Sequence, residues 1–168
     1  MTGTADHLSP REDRLWRAYF ETQVLFWRRL AQRLQQDTGL SEPDFAILTA
    51  LVQAPDARLR AFELSGVTQF EKSRLHHHLN RMIGRGLLTR EQCPEASRGT
   101  VIALSPEGRS AIEAALPLRA EHIRQTLTAP LDDSRMDALA EISETVLAHL
   151  RATDAQDASQ NQPEDSCG

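Results

Sequence analysis

The sequence predicts a mainly α-helical protein with one small β-hairpin, and three observations carry that prediction. Apolar residues recur at spacings of three and four over most of the chain, the period of helices with one buried side. Two short apolar-rich runs, 87–90 and 101–104, flank the polar connection Glu91-Gln92-Cys93-Pro94-Glu95-Ala96-Ser97-Arg98-Gly99, the mark of a hairpin. Serine-led helix starts and glycine stops punctuate the rest.

Residues 1–10 are polar and lack the apolar stretch of a signal peptide, so a flexible N-terminus and a cytoplasmic location are expected. A long helix follows over 11–36, with Leu15, Trp16, Tyr19, Phe20, Phe26, Trp27, Leu30 and Leu34 in helical register. Two readings of this aromatic helix are open: packing within its own subunit, or a dimer seam shared with a matching helix at the far end. Asp37-Thr38-Gly39 ends it. Ser41-Glu42-Pro43-Asp44 starts the next helix with a serine cap, a proline in the first turn and a carboxylate three residues after the serine. Phe45, Leu48, Leu51 and Val52 give that helix its buried side, and Pro55 closes it. Arg58-Leu59-Arg60 is a candidate strand, residues 61–65 a brief helix, and Gly66 the turn beyond it.

Residues 69–85 form the centre of the chain. Phe70, Leu75, Leu79 and Met82 make one apolar side. Lys72, Ser73, Arg74, His76, His77, Asn80 and Arg81 fall on the other sides, and all can bond phosphates or base edges. Gly86 is placed to end this helix in the left-handed conformation that glycine adopts at little cost. The hairpin then carries Arg98 at its tip, where an arginine can enter a narrow minor groove. Helix, turn, helix and hairpin together predict a winged helix-turn-helix that binds DNA. After the hairpin, Ser105-Pro106-Glu107 starts a helix running to about residue 129, with Pro117 expected to kink or interrupt it. Met136, Leu139, Ile142, Val146 and Leu150 mark a last helix over 133–151. Residues 152–168 have no apolar periodicity and several acids, so a disordered acidic tail is expected.

The domain plan is thus a single domain over 11–151, with a DNA-binding lobe at 41–104 and a helical dimerisation region at 11–37 and 105–151. No apolar run is long enough to span a membrane. The net charge of -5 argues against DNA binding until its distribution is considered. Residues 58–98 hold eight basic and four acidic side chains, a balance of +4, while the remainder of the chain carries -9. A basic lobe on an acidic body can follow phosphates without binding every polyanion.

The order of these parts resembles the MarR family of transcription regulators. The resemblance covers roughly residues 15–151. It is carried by Ser73-Arg74-Leu75-His76-His77-His78-Leu79-Asn80-Arg81-Met82, Arg85-Gly86-Leu87-Leu88, Arg98, and Ala103-Leu104-Ser105-Pro106-Glu107-Gly108. It implies a homodimer in which first and last helices interlock, with two winged lobes facing a palindromic double-stranded operator. It also implies a repressor, relieved in many members by a small phenolic or other lipophilic ligand or by an oxidant. Matched by position, Ser73, Arg74, His76 and His77 are major-groove readers, Arg81 a phosphate contact and Arg98 the wing arginine. The sequence departs from the family pattern at Ala96, where an acidic residue usually precedes the wing arginine by two positions; Glu95 stands next door. A ligand pocket is likewise implied by the resemblance, with Trp16, Tyr19, Phe20, Trp27 and Phe45 as candidate lining residues. An aromatic stripe at helical spacing is also what a core or dimer seam requires.

Sharper site chemistry finds less support. His76, His77 and His78 are successive on a helix, so their side chains point about 100° apart and do not share one ion; no metal or cofactor is expected. Cys93 in the wing is either a redox sensor, its thiolate favoured by nearby arginines, or an incidental thiol. With Cys167 it makes no disulfide framework. No nucleophile motif, phosphate loop or carboxylate cluster suggests an enzyme. The competing function is a protein-binding winged-helix adaptor without DNA specificity.

Overall fold

The computed structural model describes residues 7–92 and 100–160. The wing-tip residue Arg98 and both cysteines, Cys93 and Cys167, lie outside the described residues.

Capping chemistry sets where most helices begin. The first, α1 (Pro10–Thr38), starts on Ser9, whose hydroxyl accepts from the Glu12 N–H while the Glu12 carboxylate accepts from the Ser9 N–H at 2.8 Å. This corrects the expectation of a flexible stretch through residue 10: Ser9-Pro10-Arg11-Glu12 is the same start signal as the one at Ser41. Helix α1 ends at Gly39, which takes φ +69°, a left-handed value at which other residues are strained. Helix α2 (Glu42–Gln53) follows behind its own reciprocal serine–carboxylate cap. A 3-10 turn, Pro55–Ala57, leads to strand β1 (Arg58–Arg60).

Helix α3 (Ala61–Thr68) runs through Gly66, where a turn was expected. The turn comes at Gln69 instead, with φ +57°. The next helix, α4 (Lys72–Gly84), consequently begins three residues later than the pattern predicts. Gly86 takes φ +75° as expected. Strands β2 (Leu88–Gln92) and β3 (Thr100–Leu104) pair antiparallel, and β1 pairs with the other edge of β3, giving the order β1-β3-β2.

Helix α5 (Pro106–Ile123) starts on Ser105 and is not interrupted at Pro117; its end loosens into a π-helical turn, Arg124–Thr128. A proline ring removes one helical donor and crowds the preceding turn. Here the buried contacts of Ile112 and Ala115 before it, and of His122 after it, hold the helix together across the site. Gly108 in the first turn is required by close approach: a Cβ there would stand 2.0 Å from the Leu87 carbonyl oxygen.

The core of the unit ending at Thr126 is built from α2, α3, α4, the sheet, the end of α1 and α5. Leu34, Leu48, Leu64, Leu79, Met82 and Ile112 lie within it. The winged lobe and the first part of the expected helical region therefore share one core. The second unit, from Leu127, contains α6 (Asp133–Gln160). This helix continues nine residues past Arg151, correcting the expected disorder over 152–160. That segment has no glycine or proline and three alanines, so backbone propensity favours helix even without an apolar side. No helix among the described residues is long and apolar enough to cross a membrane.

Candidate nucleic-acid interface

The two sides of α4 are treated oppositely by the fold. Leu75, Leu79 and Met82 are buried, each contributing about 1.5–3 kcal/mol of transfer free energy. Lys72, Ser73, Arg74, His76, His77, Asn80 and Arg81 are all exposed. The structure thus brings the expected reading residues onto one helix and leaves them open to solvent.

Several of these side chains are held in place. The Arg74 guanidinium lies 5.6 Å from the centre of the Phe70 ring, a cation–π distance. Arg90 on β2 donates to the Asn80 amide oxygen at 2.5 Å, tying the helix to the base of the wing. Across the sheet, Arg58 on β1 donates to Glu91 on β2 at 2.8 Å. His78 is half-buried beside Phe70, its ring 5.9 Å from the phenyl ring, and its Nδ1 is buried without a hydrogen-bond partner. Burial, reinforced by the positive charge of Arg81, holds this imidazole below the usual histidine range. His76 and His77 remain on the surface. Among the described residues, no group of three or more His, Cys, Asp or Glu is placed to hold a metal.

Arg81 is anchored more firmly than a simple phosphate contact requires. Its Nη2 donates to Asp44 Oδ1 at 2.9 Å and to the Ser41 hydroxyl at 3.1 Å. Arg85, one turn further along α4, donates to Asp44 Oδ2 at 2.7 Å and to the Gly39 carbonyl at 3.0 Å. Asp44 is 1% exposed. Burial alone would push its carboxyl up, but the Ser41 N–H and hydroxyl, Arg81 and Arg85 together hold it below the ordinary carboxylate range. Sequence reasoning found Asp44 as a cap and did not connect it with α4. The signal was present in Arg81 and Arg85, whose separation of four residues puts them on one edge of the helix.

The candidate ligand-lining aromatics divide. Trp16, Tyr19, Phe20 and Trp27 stand exposed on α1, with Trp16 and Phe20 rings 5.6 Å apart. Phe45 is instead packed against the lobe's core beneath the Arg119 guanidinium, 5.4 Å from its ring. In a single chain the five do not share one environment. An open groove of about 320 Å³, unanticipated by the sequence pattern, lies between α3 and α4 and is lined by Ala61, Phe62, Lys72, Leu75, His76 and Leu79.

A solvent-facing basic helix, braced by a three-stranded sheet and seated on a helical body, defines the winged helix-turn-helix class of transcription regulators. No family model matches the chain. The transcriptional regulator HosA of Escherichia coli O111:H- is 28% identical over 102 residues, covering 61% of this chain and 74% of HosA. The crystal structure of AbsC, a MarR family regulator from Streptomyces coelicolor, superposes with a TM-score of 0.79 at 27% identity, covering 88% of this chain and 99% of AbsC. Sco3205, a MarR family regulator from the same organism solved in complex with DNA, gives 0.78 at 29% identity, covering 95% and 97%. In fold and in sequence the chain is similar to transcription regulators of the MarR family.

Proposed function

We propose that this protein is a dimeric, sequence-specific repressor that binds a palindromic double-stranded operator through α4 and the wing. It acts in the cytoplasm by occupancy rather than by turnover. The observation that carries the reading is the division of α4: its apolar side is buried, while its hydrogen-bonding side is exposed. Bases in the major groove present donor and acceptor patterns that such side chains can distinguish. Sco3205, similar over almost the whole chain, was solved with DNA.

A second copy supplies the symmetry. Two reading helices held about 34 Å apart enter successive major grooves on one face of the duplex. A small lipophilic or phenolic effector relieves repression by binding more tightly to a spacing that does not fit, because equal affinity for both spacings shifts nothing.

Selection of bound fragments from random duplex DNA, at stated salt, tests the reading. The expected outcome is an enriched palindrome. Arg74→Ala is then expected to relax base preference at one position per half-site, costing about 1–3 kcal/mol. Recovery of no enriched sequence would favour the protein-binding adaptor.

A further inference from the structure

We propose that Asp44 is a positioning residue for DNA reading. From beneath α4 it holds Arg81 and Arg85 so that the helix is presented to the bases at one fixed angle. The inference rests on the reading of α4 as the DNA-contacting helix and adds a residue that does not touch DNA.

The geometry is that of a two-point clamp. Each Asp44 oxygen accepts from a different arginine, and those arginines are separated by one turn of α4. Two anchors one turn apart along one helix edge restrain tilt of the helix as well as displacement, which a single contact does not. The clamp is itself fixed. Asp44 sits in the first turn of α2, where its Oδ2 also accepts the Ser41 N–H at 3.1 Å. In the same turn, Glu42 receives both terminal nitrogens of Arg119 on α5, at 2.6 and 2.9 Å. Arg85 further reaches the Gly39 carbonyl at the end of α1. The proposed reading helix is therefore referenced to α2 through one buried carboxylate and to the end of α1 through Arg85, while Glu42 and Arg119 tie that turn of α2 to α5.

Charge and burial explain why this matters for specificity rather than attraction. One carboxylate against two guanidiniums leaves a positive balance at that edge of α4. Removing Asp44's charge would raise nonspecific attraction for phosphates while freeing both arginines to swing. Base readout is sensitive to misplacement in a way that backbone attraction is not. The two effects thus move in opposite directions, which a loss of folding does not reproduce.

The test compares the wild-type protein with Asp44→Asn, measuring affinity for the selected operator and for a scrambled duplex over a series of salt concentrations. The ratio of the two affinities is expected to fall by about tenfold, the size of one mispaired base position. Nonspecific affinity is expected to hold or rise, with an equal or steeper salt slope. Asp44→Glu, which keeps the charge, is expected to recover part of the ratio. A ratio within twofold of wild type, or parallel loss of both affinities, overturns the proposal. If Asp44→Asn does not fold, Arg85→Gln removes one anchor at a partly exposed site; the same fall in ratio is expected, and an unchanged ratio overturns the proposal. A wild-type protein that selects no operator defeats the DNA reading itself, before either variant is needed.

Discussion

Helices α1 and α4 are both amphipathic, but within the unit ending at Thr126 the apolar side of α4 is buried along its length and that of α1 only near its end. Leu75, Leu79 and Met82 are buried by the lobe. On α1, Leu30 and Leu34 near its end are buried, while Trp16 is 52% and Phe20 55% exposed, with Leu15, Tyr19 and Trp27 alongside them. Helix α6 repeats the second pattern, exposing Ile142, Val146 and Leu150. A side chain left half in water on a regular helix stripe contributes little to its own fold. It becomes useful when another surface arrives. The difference teaches that α4 is positioned by its own chain, whereas the N-terminal part of α1 carries an uncovered apolar stripe, which is where the proposed second copy would pack.

The largest effect expected from breaking this contrast is on association. Phe20→Glu places a carboxylate in the exposed aromatic stripe and is expected to leave the lobe folded while converting a dimer to a monomer in sedimentation equilibrium. Losing the tethered second half-site should weaken operator binding by about 10²–10⁴-fold. A wild-type chain that is monomeric at all concentrations would remove the contrast altogether.

A cut into the covered side of α4 should behave differently. Leu79→Ala leaves a cavity in the core and is expected to cost about 2–5 kcal/mol in urea unfolding. Part of this loss should be independent of protein concentration, because the site is buried within one chain. The stability lost in Phe20→Glu should instead shrink as the wild type is diluted, since association stabilises by mass action. Equal concentration dependence for the two variants would show that the helices are not distinct in this way.

What was legible in the sequence was mostly local. Ser41-Glu42-Pro43-Asp44, Ser105, Gly39 and Gly86 marked helix ends because caps and left-handed turns involve neighbours only a few residues apart. Even the short strand β1 was readable from Arg58-Leu59-Arg60. The same local chemistry at Ser9 was present but unread. Gly66 inside α3 misled because the packing of the rest of a helix overrides the propensity of a single residue. The clamp on Arg81 and Arg85 was beyond pattern reading, since Asp44 lies 37 and 41 residues from its partners. The exposed polar face of α4 was legible as residue types on a helix, but how those side chains are braced was not.

The smallest effect concerns pH, and it too belongs to the packed side of α4. His78 is held below the ordinary histidine value of 6.5 by burial, then by Arg81, with Asp44 opposing and Arg74 and His77 adding to the depression. The unfolded chain therefore takes up a proton near pH 6.5 that the folded chain takes up only at lower pH. Stability from this group is complete above that range, declines as pH falls through it, and levels off once the folded imidazole is protonated too. The ring is half-buried and partly screened by solvent, so the change should be small. His78→Gln removes the titrating group. Urea midpoints measured from pH 7.5 to 5 are expected to fall more for the wild type than for the variant, with the two curves drawing apart below about pH 6.5. Parallel curves would mean that the buried Nδ1 has found a partner in solution, and that this side of α4 is less dry than its contrast with α1 implies.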